Sequence, residues 1–198
     1  MVASGTITNI DCNGNDNGSI DLSVAGGTAN YTYAWTKTGD NSYSATTEDL
    51  SDLSPGTYNV TITDANDCTA TNSFTITEPT ELSLTSLVPK TNGFEVSCFG
   101  GADGQIDINI SGGTGVYTYT WITSDGSGLS TGEQDQTGLS AGTYSVTVTD
   151  QNNCSVSQSF TLTSPTEIAI TATKKDFNGF NVSCNGSSDG EIDISVSG

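Results

Sequence analysis

The chain has 198 residues, 23 of them Asp or Glu against 4 lysines (Lys37, Lys90, Lys174 and Lys175), and neither Arg nor His, for a formal net charge of −19. Such a surface repels phosphate backbones and anionic lipid, which excludes nucleic-acid binding and adhesion to a membrane surface; what it attracts is hard cations with a taste for oxygen. Without His the commonest general base and every His-containing zinc site are missing, and without Arg there is no bidentate anion clamp, so the chain is read as no enzyme. Paired carboxylates alone can do acid–base work, but the acidic residues fall in turns and on wet strand faces, where solvated charge is the simpler reading. Nowhere do roughly 18 apolar residues run together, so no segment is expected to insert in a membrane. Met1-Val2-Ala3-Ser4-Gly5 has neither region of a signal peptide, whereas five regularly spaced cysteines speak for an oxidising compartment. Both observations agree if the chain is an internal stretch of a longer exported protein.

Along the chain, apolar residues alternate with polar ones. Ile20, Leu22 and Val24 share one face, then Tyr31, Tyr33 and Trp35, then Tyr58, Val60 and Ile62, then Phe74 and Ile76. A period of two marks strands with one buried and one wet face. Gly26-Gly27, Ser54-Pro55-Gly56 and Asp64-Ala65-Asn66-Asp67 punctuate them as turns. Every feature then returns 86 positions later: Ile106, Ile108 and Ile110; Tyr117, Tyr119 and Trp121; Tyr144, Val146 and Val148; Phe160 and Leu162. Ile192, Ile194 and Val196 begin a third copy. About seven short strands per 80–90 residues predicts an all-β fold of tandem immunoglobulin-like sandwiches. The units expected are residues 1–79, residues 80–165 and an incomplete third opening at 166–198, whose apolar face lacks the strands that would cover it. The Trp of each aromatic stripe sits where such sandwiches bury one, and Tyr58 and Tyr144 resemble tyrosine corners. Sugar stacking on the same stripes is the alternative, with surface polysaccharide as the partner.

The cysteines keep the same period: Cys12, Cys98 and Cys184 form one class, Cys68 and Cys154 another. Closing a loop of the Cys12-to-Cys68 size is worth about 4 kcal/mol in the chain-entropy picture. Parity favours pairing within a unit, Cys12–Cys68 and Cys98–Cys154, leaving Cys184 over. Connectivity offers a competitor. Cys12 precedes strand B and Cys68 follows strand F, at opposite poles and several times the ~5.5–6 Å that a disulfide permits between Cα atoms. The pole carrying Cys12 would instead face the pole of the second copy carrying Cys154. Parity gives the preferred arrangement, and the other stays open.

The sequence Cys98-Phe99-Gly100…Asp103-Gly104, Gly112-Gly113-Thr114…Trp121, Leu139-Ser140-Ala141-Gly142-Thr143-Tyr144…Asp150…Cys154 resembles the SprB-type repeat. The first copy carries the same pattern from Cys12 to Cys68, and Cys184-Asn185-Gly186…Asp189-Gly190 opens it again. Phe99 stands where Asn is usual, a change expected to matter little. Repeats of this type occur in very large cell-surface adhesins of gliding Bacteroidetes, so the resemblance implies an extracellular, surface-carried protein of adhesion and gliding motility. Within it, near-identical units, short linkers and loops without aromatic or arginine anchors point to a stiff spacer whose partners are neighbouring repeats of the same chain. The alternatives are a calcium- or carbohydrate-binding module, or a noncatalytic appendage of a secreted enzyme.

Calcium is the one ligand the residues suggest. Asp11, Asp16, Asp64 and Asp67 cluster in two turns of the first copy, and Asp103 and Asp150 hold similar places in the second. Asn13-x-Asn15-x-Asn17-Gly18 imitates the opening of an EF-hand, although Val24 stands where its closing Glu belongs.

Overall fold

The computed structural model describes every residue, Met1–Gly198, and each regular element in it is a strand. In the first copy these are β1 (Val2–Thr8), β2 (Gly18–Ala25), β3 (Thr32–Lys37), β4 (Asp40–Ala45), β5 (Leu50–Leu53), β6 (Gly56–Thr63) and β7 (Thr69–Ile76). They form two antiparallel sheets, β1-β2-β5 and β4-β3-β6-β7. With the strands lettered in chain order, one sheet is A-B-E and the other C′-C-F-G, the connectivity of an immunoglobulin-like sandwich.

The alternation read from the sequence decides which side chains lie between the sheets. Ile20 and Leu22 of β2 face Trp35 of β3, Tyr58, Val60 and Ile62 of β6, and Phe74 and Ile76 of β7, all buried. Trp35 tilts against Phe74 at 6.0 Å between ring centroids, and its indole N–H donates to the Thr47 carbonyl at 2.9 Å, so its polar atom is satisfied inside the core. Thr32 and Ala34 face solvent between half-buried Tyr31 and Tyr33. The aromatic stripe is therefore core, not an exposed sugar platform.

The second copy adds β8 (Ser83–Leu87), β9 (Gly104–Ser111), β10 (Thr118–Thr123), β11 (Gln136–Leu139), β12 (Gly142–Thr149) and β13 (Ser155–Leu162), in sheets β8-β9-β11 and β10-β12-β13. The A-B-E and C-F-G pattern returns, but the counterpart of β4 does not form. Where the first copy has the strand Asp40–Ala45, the second has Gly126-Ser127-Gly128-Leu129-Ser130-Thr131. Gly128 takes φ +95°, outside the extended region, and a Cβ there would lie 2.2 Å from the Gly138 carbonyl oxygen, so this turn leaves no room for a side chain. The buried amide of Gln136 holds the loop instead, accepting from Ser130 N–H at 2.7 Å and donating to Ser130 O at 3.0 Å. Tyr58 and Tyr144 are fully buried, and their hydroxyls donate to Ser54 O and Ser140 O, each at 2.9 Å. Both are tyrosine corners.

The chain packs as two compact bodies. The first comprises Met1–Thr85, Ile108–Thr120 and Val146–Gln158; the second comprises Ser86–Asp107, Trp121–Ser145 and Ser159–Gly198. The first body therefore holds the whole first sandwich together with the segment of the second copy that carries Cys154. In the second body, Trp121 lies 5.9 Å from Phe160, and Val96, Ile106, Leu139, Tyr144 and Leu162 are buried. The third copy is represented by a hairpin, β14 (Ala169–Lys174) paired with β15 (Ile192–Ser197). Its apolar residues Ile170, Ile192, Ile194 and Val196 are each about two-thirds exposed, because a lone A–B pair has no facing sheet.

Replacing Trp35 or Trp121 with Ala should cost about 3–5 kcal/mol, read as a fall in the urea midpoint. Tyr144→Phe, which removes only the corner hydroxyl, should cost about 1–2 kcal/mol.

Candidate functional site

The residues singled out by the sequence gather at two kinds of loop, the A–B loop before strand B and the F–G turn after strand F. Each F–G turn is built around a buried aspartate. Asp64 Oδ1 accepts the amides of Asn66 and Cys68, each at 2.9 Å, and its Oδ2 accepts the amide of Thr28 at 3.0 Å. Asp150 repeats this with Asn152 and Cys154 at 2.9 Å and Thr114 at 2.8 Å. The residue before each cysteine, Asp67 or Asn153, takes positive φ (62° and 66°), a conformation Asp and Asn tolerate better than most side chains. Hydrogen bonds from the Thr28 and Cys68 amides hold the Asp64 carboxyl below the usual carboxylate range, against the opposing effect of burial. A carboxylate satisfied by three amides fixes where the next cysteine sits.

The A–B loops are equally regular. The amides of Asp11, Ser97 and Ser183 donate to the side-chain oxygens of Asn17, Asp103 and Asp189 at 3.3, 3.0 and 3.0 Å. The cysteine carbonyls close the same tight turn in all three copies: Asn15 N–H to Cys12 O at 3.1 Å, Gly101 N–H to Cys98 O at 3.0 Å, and Ser187 N–H to Cys184 O at 3.1 Å. Hydrogen bonds from Ser97 and from Ser183 lower the Asp103 and Asp189 carboxyls in turn.

Within the first body the two loop types meet. Cys12 of the first A–B loop is bonded to Cys154 of the second F–G turn, with Cα atoms 5.6 Å apart, across 142 positions of sequence. Beside the bond, Asn152 Nδ2 donates to the Asp11 carbonyl at 3.0 Å, and Cys154 Sγ lies 3.3 Å from the same oxygen. Cys68, Cys98 and Cys184 are exposed free thiols.

This corrects the parity reading, in which Cys12 bonds Cys68 and Cys98 bonds Cys154. Gly18 of β2 pairs with Leu53 of β5, so the chain enters β6 at the pole that carries the A–B loop. The eight residues of β6, at ~3.4 Å each, then carry it roughly 27 Å away before Cys68 is reached. Cysteines of one copy sit at opposite poles.

The linker residues also take part. Asn13 Nδ2 donates to the Pro79 carbonyl at 3.1 Å, and Gly14 N–H donates to Glu78 Oε2 at 2.8 Å, tying the first A–B loop to the strand exit. In the second copy Phe99 replaces Asn13 and Ser164 replaces Glu78. The exchange of Asn for Phe thus removes a hydrogen bond and leaves an exposed aromatic ring. A second tie is common to both copies: in the first, Asn9 Oδ1 accepts from Thr77 N–H at 2.9 Å. In the second, Glu95 accepts from Thr163 N–H at 2.9 Å and from Lys90 Nζ at 2.7 Å, and Lys90 chiefly pulls its carboxyl down to about 2.

The acidic residues proposed for calcium have other work. Asp64 and Asp150 are saturated by amides whose hydrogens point at the oxygens a cation would need. Asp103 is bound to Ser97, and Asp11 accepts from Asn15 Nδ2 at 2.9 Å, which lowers its carboxyl. Asp16 and Asp67 are exposed. Asn13, Asn15 and Asn17, the imitation of an EF-hand, serve as loop ties to Pro79, Asp11 and the Asp11 amide. No three acidic or cysteine side chains converge on a point where a metal ion would be held.

Strand order and junction together define a tandem immunoglobulin-like repeat whose successive copies are covalently joined. The SprB repeat model matches the chain in three segments, residues 4–40, 95–126 and 180–198, one in each copy. Among curated proteins none matches. Among solved structures, the chain is similar to a C-terminal 282-residue fragment of intimin, crystallised in complex with the intimin-binding domain of the translocated intimin receptor. Identity is 16% and the TM-score 0.45, over 84% of this chain and 66% of that one, just short of two-thirds of its length. It is also similar to the amphioxus IgVJ-C2 molecule at 13% identity and a TM-score of 0.34, over 80% of this chain and 96% of that one.

Asp150→Ala should destabilise the protein by about 3 kcal/mol, because three amides lose an ionised acceptor. Acid provides a second check. Glu95 is lowered on folding, so its contribution is complete above its ordinary 4.5 and is lost as pH falls towards about 2. The stability gap between the protein and Glu95→Gln, measured by urea melts, should be widest above pH 4.5 and close below it.

Proposed function

We propose that the chain is a non-catalytic run of repeats in a cell-surface adhesin, where it acts as a stiff spacer and not as the adhesive tip. The observation that carries this reading is the Cys12–Cys154 bond, which joins the A–B loop of one repeat to the F–G turn of the next. A covalent clasp with a hydrogen bond beside it limits how far successive repeats can swing, and short proline-containing linkers such as Glu78-Pro79-Thr80 limit it further. The SprB match supports an adhesin-type, extracellular setting, and transport along the surface of a gliding cell is the finer form of the same reading. The partners of these residues are then neighbouring repeats, and the units of repetition are residues 1–79, 80–165 and the opening at 166–198. A net charge of −19 keeps such a shaft from collapsing and from sticking to anionic surfaces.

Small-angle scattering of the oxidised protein should give an elongated particle with one dominant arrangement of the two complete repeats. Reduction with dithiothreitol should broaden the distribution. A glycan and polysaccharide binding screen should be blank. A saturable polysaccharide ligand would move the adhesive role into these repeats, and a scattering profile indifferent to reduction would remove the spacer.

A further inference from the structure

We propose that Cys98 and Cys68 are the open halves of the clasp that Cys12 and Cys154 close. Cys98 takes the F–G cysteine of a following repeat, Cys68 takes the A–B cysteine of a preceding one, and a head-to-tail disulfide marks every junction of the array. The inference rests on loop geometry and does not depend on the adhesin reading.

The first support is register. Cys98 is the 86-residue counterpart of Cys12, and Cys68 is that of Cys154. Each thiol left free thus corresponds to one that is bonded.

The second support is that the open halves already hold the closed geometry. Cys98 closes the same turn as Cys12, and its loop carries the same amide-to-side-chain tie, Ser97 N–H to Asp103 at 3.0 Å against Asp11 N–H to Asn17 at 3.3 Å. Cys68 leaves an aspartate-centred turn in which the amides of Asn66 and Cys68 donate to Asp64 Oδ1, matching those that donate to Asp150 Oδ1 at 2.9 Å. Preformed loops pay little ordering cost on meeting.

The third support is a difference between the open and closed turns. Asn152, at the closed junction, donates across to the Asp11 carbonyl, whereas its counterpart Asn66 turns back to Thr28 Oγ1 at 2.8 Å. The same asparagine has a partner across the junction when one is present and a local one when it is not. On the other side, Ser97, Cys98 and Phe99 form with Pro165–Ile168 an open concavity. Its counterpart at Cys12, Asn13, Glu81 and Leu82 is completed by residues 153–156, the end of the F–G turn and the start of β13.

The bond forms by thiol–disulfide exchange. The two cysteine thiols give up two protons and two electrons, and glutathione disulfide or an equivalent disulfide oxidant takes them and leaves as two thiols. Cys184, in the third copy's equivalent of the loops that carry Cys12 and Cys98, is the half-site of the next junction along.

The test inserts a second copy of residues 80–165 between Pro165 and Thr166 of the full chain and refolds it in a glutathione redox buffer. Nonreducing peptide mapping should recover Cys12–Cys154 together with a bond from Cys98 to the inserted copy's equivalent of Cys154, and free Cys98 should all but disappear. Cys98 left free, or bonded to Cys154 of its own repeat, would overturn the proposal. Should the longer chain fail to form even Cys12–Cys154, the unaltered chain at high concentration in the same buffer decides the matter. Its intermolecular bonds should join Cys68 to Cys98 or Cys184. Cys98–Cys98 and Cys68–Cys68 bonds in equal abundance would overturn the proposal.

Discussion

A buried carboxylate taking three backbone amides is the interaction on which the junction depends. Without Asp150 the segment Gln151-Asn152-Asn153 would be an ordinary exposed turn, free to sample many shapes. With it, the amides of Thr114, Asn152 and Cys154 converge on one side chain, and the cysteine is presented at a fixed angle. Ionised acceptors make hydrogen bonds stronger than neutral ones do, and burial spares them competition from water. A disulfide between loops 142 positions apart is then the meeting of two prepared surfaces, not the capture of a mobile end.

The same carboxylates explain how a strongly acidic chain keeps a stable core. Several of its negative charges are spent on amides and loop ties, and one of its four lysines, Lys90, is set beside Glu95, a nearly buried carboxylate. The rest lie in water, where they repel one another only through a screened field.

Most of the sandwich was legible in the sequence because alternation is local. Ile20 and Leu22, Ile106 and Ile108, and the strand F residues are buried as a period of two requires. The tyrosine corners were legible for the same reason: the acceptor lies four residues from the ring. The loop that replaces the fourth strand of the second copy carries Gly126 and Gly128, a turn signal that the gapless repeat around it obscures. The disulfide was half legible. Parity counts cysteines and knows nothing of poles, whereas an eight-residue strand F separates the cysteines of one copy whatever their number. The acidic cluster misled for a different reason. Calcium loops and Asx turns draw on the same residues, Asp and Asn near glycine, and what separates them is whether amide hydrogens or open space surround the oxygens.

The most direct test of this account follows amide hydrogen exchange through the F–G turn of the second copy before and after the Cys12–Cys154 bond is reduced. If the carboxylate builds the turn and the disulfide only fastens it, the amides of Thr114, Asn152 and Cys154 should keep their protection on reduction. Loss should be confined to the A–B loop around Cys12. If those three amides instead exchange freely once the bond is broken, the turn is held by the disulfide and the central role given to Asp150 is wrong.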